Sequence, residues 1–131
     1  MPGTPLHLAM IGLGTVGTGV AKLFTQRPDH LRSIGVGPLQ LKTVVVRDPA
    51  KVRGVDLGSA RLTSDFDSIV ADPQIDVAIE VMGGIEPARS RIAALLQAGK
   101  HVVTANKAVL AEHGRELFEI ARQADRAILF E

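Results

Sequence analysis

Three short stretches of this chain carry residue types that could do chemistry on a small molecule. The first, Gly12-Leu13-Gly14-Thr15-Val16-Gly17, stands between an apolar run, Leu6–Ile11, and an amphipathic one. A Gly-x-Gly-x-x-Gly turn between a buried strand and a helix suits a dinucleotide's diphosphate. Gly12 permits the tight turn, Gly14 leaves no Cβ where a phosphate must approach, and Gly17 lets the helix pack closely on the strand. Thr15, Val16 and Gly17 then offer free N–H groups at the positive end of the helix dipole. The second stretch is Glu80-Val81-Met82-Gly83-Gly84-Ile85-Glu86-Pro87. Its paired glycines let the backbone approach a flat ring or a ribose, or simply make a strand-to-helix turn. The third, Thr104-Ala105-Asn106-Lys107, puts a lysine at the start of a helix. The dipole opposes its charge there, which suits a proton carrier near neutral pH. The plainer reading is an exposed lysine whose stem lies along the surface.

A fourth cluster bears on the choice of coenzyme. Where a glycine turn binds a dinucleotide, the end of the second strand meets the adenosine ribose. An acid there favours NAD, and an arginine accommodates the 2′-phosphate of NADP. Arg47 ends the second strand here, with Lys51 and Arg53 close behind and Asp48 between them. Arginine's planar fork suits phosphate, so NADP is expected as the preferred coenzyme with NAD tolerated. The alternative is that Arg47, Lys51 and Arg53 are solvated loop charges. Arg47 comes later after the turn than the ~20 residues usual for this position. The loop from Pro28 to Pro38 accounts for the excess.

Other chemistries find little support. The chain has no cysteine, so thiolate catalysis, disulfides and Cys-ligated metal are excluded. His7, His30, His101 and His113 have no metal-ligand spacing with a second histidine or a carboxylate, and no metal site is expected. Glu116 and Glu119 read as solvated helix charges. The net charge of +1, with both signs interspersed, gives no nucleic-acid or membrane-surface patch. No apolar run approaches the ~20 residues of a membrane helix. No basic segment precedes an apolar run as in a signal peptide. A cytoplasmic location fits these features.

The elements that must position these residues follow from periodicity. The 131 residues suffice for one domain with a real core. Aromatics are 3% of the chain, so that core must be aliphatic, as in a sheet buried on both faces. Strands are expected at Leu6–Ile11, Leu39–Val46, Arg61–Thr63, Ile75–Val81, His101–Thr104 and Ala127–Phe130. The first helix should bury Val16, Val20, Leu23 and Phe24. A short helix is expected at Asp65–Ala71. A longer one from about Glu86 to Ala98 should have Pro87 in its first turn and bury Ala88, Ile92, Leu95 and Leu96. Gly99 should end it. Asn106 can cap the last helix, which Gly114 interrupts. Strands and helices alternate throughout. The expected architecture is therefore α/β: a Rossmann-type, doubly wound, mainly parallel six-stranded sheet with helices on both faces. The chain stops on Glu131 at a strand tip, as a piece of a longer protein would.

Taken together, GLGTVG at 12–17, EVMGG at 80–84 with IEPA at 85–88, and GKHVVTANK at 99–107 resemble homoserine dehydrogenase along the whole chain. The last two motifs are far more specific than the glycine turn. The resemblance implies reversible, NAD(P)-dependent interconversion of L-aspartate 4-semialdehyde and L-homoserine, a step toward threonine, methionine and isoleucine. It implies that Gly12, Gly14, Thr15, Val16 and Gly17 bind the pyrophosphate. It also implies that Met82, Gly83, Gly84, Thr104 and Ala105 line the nicotinamide side, and that Lys107 is one of two lysines at the reaction centre. Residues 1–131 would then be the dinucleotide-binding domain. The second lysine, the substrate-binding carboxylates and the surface of a homodimer or larger assembly would lie in a substrate domain outside this chain. A segment from beyond that domain would complete the coenzyme domain, and its absence should leave apolar surface exposed. Glu131 resembles the start of the family's sodium-binding segment. The remaining alternatives are the coenzyme domain of another amino-acid or semialdehyde dehydrogenase, or a nucleotide-sensing module without chemistry.

Overall fold

Leu8 and Met10 point to one face of the first strand, and Ala9 and Ile11 to the other, and all four are buried. A strand apolar on both sides must lie inside a sheet covered twice. The computed structural model describes residues 5–27, 29 and 38–130. In chain order its elements are β1 (Leu6–Ile11), α1 (Thr15–Gln26), β2 (Leu39–Val45), β3 (Arg61–Thr63), α2 (Phe66–Ala71), β4 (Val77–Glu80), α3 (Ala88–Gln97), β5 (His101–Thr104), α4 (Lys107–Ala124) and β6 (Ile128–Phe130). The six strands form one sheet in the order β3-β2-β1-β4-β5-β6, and every pairing is parallel. The strand order reverses between β1 and β4, which opens a crevice at their carboxyl ends.

Two aliphatic cores lie on opposite faces. One joins Ala9, Ile11 and Val45 to Ile69 of α2, Ile92, Leu95 and Leu96 of α3, and Val109, Leu117 and Ala121 of α4. The other joins Leu8, Met10, Leu41 and Val44 to Ala21 of α1. Leu41 and Val44 share a face although alternation would separate them. Opposite β1 the register passes from Leu41 to Thr43 and skips Lys42, a bulge that reverses the alternation. The Lys42 ammonium reaches the Asp72 carboxylate at 2.6 Å and the Gln74 side chain at 2.9 Å. That hydrogen bond holds the Asp72 carboxyl below its ordinary range. Nearby, buried Lys100 donates to the carbonyls of Asp72 at 2.7 Å and Ile75 at 3.2 Å, and burial pushes its pKa down.

Several expectations need correction. The buried side of α1 carries Gly17 and Ala21, with Val20 and Phe24 packed beside them. Val16 is 53% and Leu23 37% exposed, so the true stripe is rotated from the one expected. Small residues face the sheet because the helix sits against it at the glycine turn. The last helix runs unbroken through Gly114, which is buried. β4 covers Val77–Glu80 rather than Ile75–Val81, although the Asp76 and Val81 N–H groups still bond the His7 and Ile11 carbonyls of β1. Pro87 precedes α3 rather than lying in its first turn, and the Glu86–Pro87 peptide is cis. The stripe of α3 and the Gly99 terminator are as expected: the N–H of Gly99 bonds the Leu96 carbonyl and that of Lys100 the Leu95 carbonyl. Most of the Pro28–Pro38 loop, with His30, and Glu131 lie outside the described residues. Among the described residues β6 pairs with β5 alone, and Leu129 and Phe130 are exposed there. Phe130 meets Phe118 of α4 edge to face at 5.9 Å between ring centres.

Candidate coenzyme site

The carboxyl ends of β1, β2 and β4 open into a cleft of about 820 Å³. Its floor is the turn after β1. Gly12 has φ +103°, and a Cβ there would lie 3.0 Å from the backbone of Val81 and Met82. Gly17, one turn into α1, is buried so closely that a Cβ would lie 2.6 Å from the Gly12 carbonyl oxygen. Helix, turn and the end of β4 are thus in backbone contact that any side chain would break. Gly14 differs: nothing lies within 4 Å of where its Cβ would be, and it faces the cleft. It is also the N-cap of α1. No side chain caps this helix and no acidic residue occupies its first turn, so the leading N–H groups remain open to an anion. Thr15 and Val16 begin the helix and are exposed.

One wall comes from the ends of β2 and β3, with Arg47, Asp48, Lys51, Arg53 and Ser64. Asp48 is engaged locally, its carboxylate accepting from the Ala50 N–H at 3.1 Å and its carbonyl from the Lys51 N–H at 3.2 Å. Arg53 donates to the Lys51 carbonyl at 2.9 Å. Among the described residues neither Arg47 nor Lys51 has an ion-pair partner within 4.0 Å. The opposite wall is Met82, Gly83, Gly84, Glu86, Pro87 and Arg91. Gly83 and Gly84 both have φ +74°, consecutive left-handed residues that a glycine pair adopts freely. Ser90 and then Arg89 hydrogen-bond Glu86 and hold its carboxyl below the usual range. Arg91 lies over the Phe66 ring at 4.9 Å. Four cations against two carboxylates give the cleft a positive field suited to an anionic ligand.

The second loop cluster adjoins the cleft without lining it. Thr104 is buried and ends β5 directly opposite Glu80 of β4. Ala105 is exposed, and Lys107 is the exposed first residue of α4. The side chains of Glu80 and Asn106 tie this cluster to the cleft. Glu80 is fully buried, accepting from the Thr104 hydroxyl at 2.6 Å and the Met82 N–H at 2.9 Å. The Thr104 oxygen accepts the Asn106 N–H at 3.0 Å. Asn106 caps α4 as expected, its oxygen accepting the Val109 N–H at 3.1 Å, while its amide also donates to the Gly84 carbonyl. Glu80 begins the second stretch, but its buried pairing with Thr104 has no sequence signal, since a lone acid in an apolar strand carries no spacing. Arg91 escaped notice because its position on the cleft depends on a helix packing against a distant loop. Among the described residues no group of three or more histidines and carboxylates could hold a metal, and no helix is long and apolar enough to cross a membrane.

Comparison with known proteins places this geometry. Residues 12–131 match the family described as homoserine dehydrogenase, NAD binding domain. The chain is 44% identical over 126 residues to a homoserine dehydrogenase of Synechocystis, covering 96% of this chain and 29% of that protein. It is 40% identical over 130 residues to one from Corynebacterium glutamicum, covering 99% and 29%. A Thiobacillus denitrificans homoserine dehydrogenase superimposes with a TM-score of 0.90 at 34% identity, over 98% of this chain and 30% of that one. The Staphylococcus aureus enzyme gives 0.89 at 37% identity, over 98% and 32%. The chain therefore spans about 30% of the length of these relatives.

Proposed function

The chain belongs to the homoserine dehydrogenase family through its NAD-binding domain, and on that premise we propose that it binds NADP in preference to NAD and serves the interconversion of L-aspartate 4-semialdehyde and L-homoserine. The observation that carries the reading is the backbone-tight turn at Gly12 and Gly17 beneath an uncapped helix start and a positive cleft. Gly12, Gly14, Thr15, Val16 and Gly17 hold the diphosphate. Arg47 and Lys51, which have no ion-pair partner among the described residues, meet the 2′-phosphate, while Asp48 is spent on its own turn. Met82, Gly83, Gly84, Thr104 and Ala105 form the nicotinamide side. The coenzyme supplies or accepts the hydride. Lys107 delivers the proton that the forming alkoxide takes up, and the reverse reaction returns it. The substrate and the second lysine are held by a further domain, in an assembly of at least two chains in the cytoplasm. The sheet face that carries Leu129 is covered by chain from beyond that domain.

Titration of the 131-residue chain with each coenzyme tests the reading. Saturable binding with NADP tighter than NAD is expected, and Arg47→Ala should weaken NADP about tenfold, ~1.4 kcal/mol, with little change for NAD. Tighter binding of NAD would overturn the preference; no binding of either would overturn the site. The isolated chain should show no homoserine-dependent NADP reduction, and turnover by it would refute the need for a second domain.

A further inference from the structure

Asn106 does more than a helix cap requires. Asn, Asp and Ser cap helices about equally well, because each offers an oxygen to an N–H of the first turn. Asn106 uses its oxygen that way, accepting from Val109 at 3.1 Å. Its nitrogen reaches across to the neighbouring loop and donates to the Gly84 carbonyl. That second bond needs a donor, which Asp lacks and which Ser is too short to supply. The residue is itself buried and seated on a buried base, since its N–H bonds Thr104 and Thr104 bonds Glu80. Glu80 in turn holds the N–H of Met82, two residues before Gly84. The two loops after β4 and β5 are therefore fastened twice, once beneath by Glu80 and Thr104 and once above by Asn106.

We propose that Asn106 is a positioning residue whose carboxamide couples the Gly83–Gly84 loop to the start of α4, so that coenzyme docking on that loop fixes the backbone at Lys107. The inference rests on the coenzyme reading above. Its use is geometric: a proton carrier must be held within hydrogen-bonding reach of its target. Gly83 and Gly84, both left-handed, would otherwise leave that wall of the cleft pliable.

The test uses amide NMR of the 131-residue chain with NADP as the probe. In the wild type, saturation should shift the amide signals of Gly14, Gly84 and Lys107. Asn106→Asp and Asn106→Ser keep the cap, so the Val109 amide should exchange within about threefold of wild type, with the thermal midpoint little changed. In both, Gly14 and Gly84 should still respond and Lys107 should not. A Lys107 response of wild-type size in Asn106→Asp or Asn106→Ser would overturn the proposal. A wild-type chain silent at Gly14 as well would overturn the coenzyme reading and this inference with it, a result distinct from the first.

Discussion

Gly14 and Gly17 belong to one motif and answer to different constraints. A methyl group at Gly17 would be driven into the Gly12 carbonyl at 2.6 Å, and that atom is backbone and cannot swing away. Gly17→Ala should cost about 1–3 kcal/mol of stability, as overpacking does, and distort the turn. At Gly14 the same methyl meets no protein atom within 4 Å. Gly14→Ala should therefore cost less stability than Gly17→Ala, about 0.5–1 kcal/mol as a poorer N-cap, while weakening NADP binding at least tenfold, because the methyl takes the place where phosphate approaches. Equal loss of stability in the two variants would contradict this division. The glycine spacing was legible in the sequence because it encodes a backbone requirement that no other residue meets. The Glu80–Thr104–Asn106 chain was not, because its partners are brought together only by the register of β4 on β5. Thr104→Val tests that chain. It removes the donor to Glu80 and the acceptor of the Asn106 N–H, and should cost about 1–3 kcal/mol in urea unfolding, whereas Thr104→Ser should restore most of it.

At the level of single elements, the Lys42 bulge explains why β2 defeats simple alternation. An extra residue reverses the pattern, so the expected strand was right in extent and silent about which side chains share a face. The stripe of α1 failed for a related reason. Large apolar residues predict the buried side, but a helix touching the sheet through Gly17 and Ala21 turns Val16 outward. The α3 stripe was legible because Ile92, Leu95 and Leu96 pack in one cluster with large side chains such as Ile75, Val109 and Leu117. The bulge also places the Lys42 ammonium on Asp72 and lowers that carboxyl's pKa. A carboxyl depressed in the fold contributes stability above its unfolded value near 3.9, and loses it as pH falls through the lower folded value. Wild-type stability should therefore drop below about pH 4 by up to ~1 kcal/mol more than that of Lys42→Met. Identical acid profiles for the two proteins would remove the pair from the account.

For the molecule as a whole, the alternation of strands and helices implied a parallel sheet, and all the pairings are parallel; alternation alone does not set the order in which the strands lie. That apolar surface would stay bare followed from the family resemblance alone, since composition says nothing of which side chains are left uncovered. Leu129 is 62% and Phe130 61% exposed on an edge strand, beside Phe118. Unprotected apolar edges pair with other chains. The 131-residue chain should self-associate in sedimentation at high concentration, and Leu129→Lys should shift it toward monomer. An unchanged association constant would place the contact elsewhere.

The position of β1 has a bearing on how the chain comes into being. It is made first, yet one of its two neighbours is residues 77–80, made long afterwards. During synthesis the central strand waits with one side unclaimed, a vulnerable interval for a parallel sheet built from distant pairings. Slowing translation lengthens that interval and should lower the soluble yield, and stopping synthesis before residue 77 should leave aggregated polypeptide.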